Sequence, residues 1–378
     1  MATPVAGSPL ESGATLAPRE VDLARESNTT FTLLGVNWRG IGLAAVALAV
    51  FLLVFPLVLD PFRLNLLGQF LCLSIVALGL DLLWGYAGIL SMGQGVFFGL
   101  GAYAFGMYLK LEASNGALPD FMDWSGLTAL PAFWVPFANP FFAVLAAILV
   151  PAAAGGCLGF LLSRTRVSGV YIAIITQALA FIATILFIGQ QPFTGGTNGL
   201  TNFSTLFGAP LKNPAVQANL YRLTVVVLGA AIVLSLALAK SRFGVLLIAL
   251  RDNEKRVRFS GYNPTLPRTA VFALAAGLAG LGGALYVPQV GIINPDALGI
   301  LLGIQIVIWV AVGGRGTLFG AVLGTLVVRS AQTAVSESFP DLWQYAIGAL
   351  FILTVLLFPA GLMGVIRSAG RLKWMGNS

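Results

Sequence analysis

The chain has 378 residues, 58% of them hydrophobic and 9% charged, with 21 Lys and Arg against 14 Asp and Glu and no histidine. Soluble domains carry roughly 25% charged residues, so this composition excludes a water-soluble fold, and the missing histidines remove the commonest general base and metal ligand. An all-α integral membrane protein is expected, whose net charge of +7 follows from membrane topology and calls for membrane lipid around it but no nucleic acid.

Residues 1–39 are polar and rich in Ser, Thr, Pro and charge, without an early apolar run, and are expected to form a flexible cytoplasmic tail. A bilayer core about 30 Å thick takes roughly 20 apolar residues as helix. "GIGLAAVALAVFLLVFPLVL", residues 40–59, meets that need without a charge. Hydropathy and turn signals then place a transmembrane domain over residues 40–366, with spans at about 40–59, 64–84, 90–109, 140–162, 170–189, 220–239, 269–290, 298–312, 314–329 and 343–362. The third, eighth and ninth are short or glycine-rich and are candidates for broken or re-entrant segments. A basic cytoplasmic tail, residues 367–378, closes the chain. Cys72 and Cys157 lie in apolar segments and read as small core residues.

Cytoplasmic loops accumulate Lys and Arg. With both termini inside, 16 of the 21 Lys and Arg fall on the cytoplasmic side. The outer loops at 110–139 and 190–219 are long enough to face another protein, although Trp124, Phe133 and Trp134 equally fit an interfacial aromatic belt. Asp81, in "LGLDLLWGYAG", is the one carboxylate within an expected span. It is either a polar group near a pathway, bracing a broken helix, or a carboxylate capping the glycine-rich turn that follows.

Charge is concentrated in "SRFGVLLIALRDNEKRVRFSGYNPTLPR", residues 241–268, which holds eight of the chain's 35 charged side chains. A short amphipathic helix is expected near 245–259, with Phe243, Leu246, Leu250 and Val257 forming an apolar stripe and Arg251, Lys255 and Arg258 beside it. Glu254 falls on the stripe itself, and Gly261, Asn263 and Pro264 supply a helix stop. Both signs of charge beside an apolar stripe describe a face for docking a protein. Its expected contacts are Arg251, Asp252, Asn253, Glu254, Arg258 and Gly261. No GxxxxGK[ST] loop occurs in the chain, so nucleotide hydrolysis would have to come from the partner.

"SRFGVLLIALRDNEKRVRFSGYNP", "LLWGYAGILSMGQGVFFGLGAY" (82–103) and "IWVAVGGRGTLFGAVLGTLV" (308–327) resemble the permeases of ABC importers for branched-chain amino acids and related solutes, over about residues 40 to 366. Within that family, "QQPFTGGTNGLTNF", "LYVPQVGIINP" and "RDNEKRVRFSGYN" are most similar to the urea transporter's second permease subunit. The resemblance implies a bacterial inner-membrane, non-catalytic subunit without a cofactor of its own. It implies a second homologous permease, two ATPase subunits that bind ATP and Mg, and a periplasmic substrate-binding protein, with the charged helix seated on an ATPase.

Urea is the cargo so implied, with a branched-chain amino acid or a short-chain amide as the alternative. A small neutral solute such as urea needs neutral hydrogen-bonding groups, and the candidates are Ser91, Gln94, Thr176, Gln177 and Gln305, with Asp81 near the path. Gln177 stands where the amino-acid permeases it resembles usually carry an apolar residue. An ion-coupled secondary transporter would need more intramembrane ionisable groups than one Asp, and a membrane enzyme would need a nucleophile or metal cluster that the sequence lacks.

Overall fold

The computed structural model describes residues 48–338 apart from 166 and 168, together with Val46, Tyr345, Gly348, Ala349, Ile352 and residues 361–364. The chain divides into two units, Met1–Val50 and Phe51–Ser378. The tail at 1–39, most of the first span, most of the tenth and the tail at 367–378 lie outside the described residues.

Among the described residues of the second unit are nine long helices: α1 (Pro61–Asp81), α2 (Gln94–Ala113), α3 (Pro140–Arg164), α4 (Val170–Gly189), α5 (Pro214–Lys240), α6 (Arg242–Phe259), α7 (Thr265–Val290), α8 (Ile300–Gly313) and α9 (Leu318–Ser338). A two-stranded antiparallel ribbon, β1 (Thr205–Leu206) with β2 (Ala209–Pro210), lies between α4 and α5. Among the described residues six stretches are long and apolar enough to cross a membrane: Pro61–Tyr86, which runs from α1 through a π-helical turn at Leu82–Tyr86, and then α3, α4, α5, α7 and α9. The fold is therefore the expected all-α membrane architecture.

Three expected spans differ. The third starts as non-helical backbone and becomes helix only at Gln94; α2 is buried along most of its length and is not one of the six. The eighth is α8, whose 14 residues rise about 21 Å, short of an about 30 Å core. The ninth is not short. It runs on as α9 to Ser338, because Arg329, the charge at which hydropathy alone ends the span, sits inside the helix.

α7 is the centre of the bundle, packed against α1, α2 and α3. In lipid there is no hydrophobic drive between helices, and close packing through small residues takes its place. A Cβ added at Gly101 would collide with the Gly280 backbone, and one at Gly283 with the Phe98 carbonyl. Polar ties supplement this seam. Gln289 on α7 donates to Thr224 Oγ1 of α5 at 2.9 Å and to Cys72 Sγ of α1 at 3.3 Å, so Cys72 is the buried core residue its sequence context suggested, whereas Cys157 is exposed on α3 and is not a core residue. The outer helices α3, α4 and α5 turn Phe141, Leu149, Ile182 and Val233 outward, where lipid satisfies them.

At the end of the bundle away from α6, buried Lys110 pairs with Asp120 at 2.7 Å and donates to the Thr201 carbonyl at 3.0 Å. Burial opposes ionisation of Asp120, but the Lys110 ammonium and the Phe121 amide outweigh it and hold its pKa below the usual value. Glu112 accepts from the amides of Phe207 and Gly208 at 3.2 and 2.6 Å, so both long loops are tied to the last turns of α2.

Candidate functional site: a charged junction and a broken-helix cleft

Helix α6 starts three residues before the expected boundary because Ser241 caps it, accepting from the Gly244 amide. It then breaks at Asn253, whose backbone is non-helical (φ −155°, ψ 89°) and whose side chain accepts from the Arg256 amide at 3.1 Å, capping a second short segment. Gly261 (φ +85°) ends that segment, as the sequence stop signal indicated.

The apolar stripe does not face outward for a partner. Leu250 is 2% exposed, Phe243, Leu246 and Val257 are partly buried, and Phe243 and Leu247 pack into the cluster formed with Leu82, Leu228 and Val271. Lipid and water offer that stripe less than the bundle does, so it seats α6 on its own chain. The apolar groups left outside are others: Phe259 at 91%, Leu266 at 76%, Val245 and Tyr262. Asp252 and Asn253 are exposed. Glu254 is satisfied within the chain, accepting from Arg258 at 2.7 Å and from Arg268 on α7 at 2.8 Å. Partial burial pushes its pKa up, but the two guanidinium groups outweigh this and leave it below the ordinary glutamate value.

Arg251 reaches the broken end of α1. Its Nη1 donates to the Gly85 carbonyl at 2.6 Å, its Nε to Asp252 at 3.0 Å, and its aliphatic stem lies where a Gly88 side chain would be. Gly88 has φ +73°, which glycine adopts without penalty. Asp81, fully buried, accepts from the Gly316 amide at 2.7 Å. Arg315 donates to the Trp84 carbonyl at 3.2 Å and lies over the Trp84 ring at 5.2 Å. One junction therefore joins α6, the π-helical end of α1 and the glycine turn between α8 and α9. Asp81 holds a turn, but that turn is the distant one at Gly316, not the adjacent one.

Ser91, Gln94 and Thr176 are all fully buried and come together where residues 91–94 cross α4. Thr176 Oγ1 accepts from the Met92 amide at 3.0 Å. Ser91 Oγ and both amide atoms of Gln94 have no partner among the described residues. Gln177 is half-buried on the next position of α4 and is not part of the cleft described next.

That cleft, ≈ 540 Å³, is lined by Leu73, Phe98, Phe181, Tyr286, Gln305 and Arg329, with residues from 290 to 302 forming one wall. The wall is a discontinuity. After α7 ends, residues 291–299 run back along α2, placing Ile293 beside Gly106 and the Gly299 carbonyl beside Gly95. These two glycines are about 16 Å apart along the helix. Non-helical backbone at membrane depth is tolerated where it is buried in protein or lines a cavity, and here both hold. Ile293 and Leu200 exchange backbone hydrogen bonds of 2.8 and 3.0 Å, and α8 then begins at Ile300 on the cleft wall. Of the expected pathway residues only Gln305 lines this cleft.

Sequence reasoning missed Arg329, Asp296 and the exposed Phe259, Tyr262 and Leu266. The signal for Arg329 was available: "GAVLGTLVVRSAQTAV" is apolar before a single cation and uncharged after it.

Residues 62–355 match the family described as the permease component of the branched-chain amino acid transport system. The high-affinity branched-chain amino acid transport system permease protein LivM of Salmonella typhimurium is 25% identical over 352 residues, 87% of this chain and 76% of its own. BraD of Pseudomonas aeruginosa, a permease protein with the same description, is 25% identical over 296 residues, covering 77% and 91%. The autoinducer 2 import system permease protein LsrC of Salmonella paratyphi B is 27% identical over 227 residues, covering 57% and 62%. No solved structure matches the chain.

Proposed function

The chain belongs to the family of branched-chain amino acid transport system permeases, and from that premise we propose that it is a multi-pass inner-membrane subunit carrying an apolar amino acid through an ATP-driven importer. The observation that supports this cargo is the cleft wall. It combines the apolar side chains of Leu73, Phe98, Phe181 and Tyr286 with one carboxylate, Asp296, and one cation, Arg329. A zwitterion with a hydrocarbon side chain uses all three. Urea, neutral and flat, uses none of the charges, and no relative named above is described as a urea permease. The urea cargo that the segment likeness implied therefore gives way to the amino acid.

The partners are a second permease, two ATPases and an external binding protein. α6 faces an ATPase on the cytoplasmic side, through Arg251, Asp252, Asn253, Glu254, Arg258 and Gly261 together with exposed Phe259 and Tyr262. Movement of α6 pulls directly on the Gly85 carbonyl through Arg251, and thence on α1 and the α8–α9 turn. The test is uptake by the complete importer in proteoliposomes: ATP-dependent accumulation of leucine or isoleucine with no urea uptake is expected, and the reverse pattern would restore urea.

A further inference from the structure

Arg329 carries a charge in the membrane-spanning part of the chain. Counted from Leu318, it lies about 16 Å along α9, at the middle of a helix long and apolar enough to cross a hydrocarbon core about 30 Å thick. A cation there is costly and is normally paired with a carboxylate. Among the described residues the ion pairs are Lys110–Asp120, Arg251–Asp252, Arg258–Glu254 and Arg268–Glu254, and none includes Arg329.

Its guanidinium is held by neutral groups. The Phe70 and Trp309 rings lie 5.4 and 5.9 Å from its central carbon, and Nη1 donates to Gln332 Oε1 at 2.9 Å. Rings orient a guanidinium without neutralising it, leaving its edge free for a planar anion. Nε is buried with no acceptor. The side chain also lines the cleft, on whose wall stand Ile300, Leu301 and Leu302, the first turn of α8. That helix start has no side-chain cap, so its amides and its dipole add positive character to the same cavity.

We propose that Arg329 is the carboxylate-recognition residue of the translocation path. The guanidinium edge, assisted by the start of α8, takes the carboxylate of the transported amino acid while Phe98, Phe181 and Tyr286 receive its hydrocarbon side chain. The assignment rests on the amino acid cargo proposed above. It also selects against neutral amides and ureas, which leave the cation unpaired.

The test uses the complete importer with its binding protein in proteoliposomes, measuring L-leucine uptake and the yield of assembled complex for the wild type, Arg329→Gln and Arg329→Lys. The expected result is a loss of at least about tenfold in uptake for Arg329→Gln at wild-type yield, with Arg329→Lys recovering part of the uptake at a raised KM. Uptake by Arg329→Gln within twofold of the wild type overturns the assignment, as does a fall in yield that matches the fall in uptake in both variants. Should Arg329→Gln fail to assemble, Arg329→Lys decides: a KM raised about fivefold or more supports recognition, and an unchanged KM removes it. If the wild type accumulates no apolar amino acid, the cargo reading fails first and the carboxylate assignment falls with it. If the wild type does and Arg329→Gln does equally, only the assignment fails.

Discussion

Asp81 shows how much a single buried acceptor controls. It satisfies the Gly316 amide, and removing one partner of a buried hydrogen bond leaves the other unpaired at a cost of about 1–3 kcal/mol. Asp81→Ala should lower the melting temperature of the solubilised complex, and Asp81→Asn, whose amide oxygen still accepts, should lower it less. Equal melting of all three would show that the bond contributes nothing. Gly88 tests the same junction from the backbone side. Alanine there meets both a positive φ and the stem of Arg251, a destabilisation of about 1 kcal/mol or more. Gly88→Ala should raise ATP consumed per solute moved, measured on the reconstituted importer; an unchanged ratio would separate the junction from coupling.

Among the elements, α6 carries two further expectations. Asn253 caps its second segment, and loss of such a cap costs about 0.5–2 kcal/mol. Asn253→Ala should favour one continuous helix and reposition Phe259, so that hydrolysis persists while uptake falls. Uptake and hydrolysis unchanged together would make the break incidental. Glu254 gives a pH dependence. Its pKa is below the ordinary value when folded, so its contribution is complete above the unfolded value of about 4.3 and disappears as pH falls through the lower folded one. The melting gap between wild type and Glu254→Gln should be open at neutral pH and close in acid; a gap constant with pH would mean that the two arginines do not depend on its charge.

α6 also marks the limit of what its residues reveal in isolation. Its helix and its stop at Gly261 are local matters, readable from period and turn chemistry. Which way the stripe faces is not local. A stripe of Phe243, Leu246 and Leu250 looks the same whether it seats a helix on its own bundle or offers it to a partner. Only the packing against Leu82, Leu228 and Val271 decides.

At the scale of the whole molecule, the membrane class, the helical fold and five of the long crossings follow from apolar run lengths alone. The cleft does not. It depends on residues 291–299 lying back along α2 and on Arg329 meeting Phe70 and Trp309, partners 259 and 20 positions away in the sequence. Asp81 was singled out by its charge in an apolar run. Arg329 satisfied the same criterion but stood where a span was taken to end. The N-terminal tail belongs to this scale as well. From its composition the tail is expected to be dispensable for the fold, so deletion of residues 1–30 should leave membrane insertion and complex yield intact; loss of insertion would assign it a structural role.

The seam in which Gly101 meets Gly280 and Gly283 meets Phe98 is backbone against backbone. Such a contact has no rotamers to exchange and no soft side chain to compress, so it cannot yield by small steps. Densely packed interfaces of this kind either stay shut or separate. α2 and α7 are therefore expected to move as one body. The same rule joins α8 to α9, where Gly313 meets the Gly320 carbonyl and Gly324 the Trp309 carbonyl, so these two helices are expected to move as a second rigid pair.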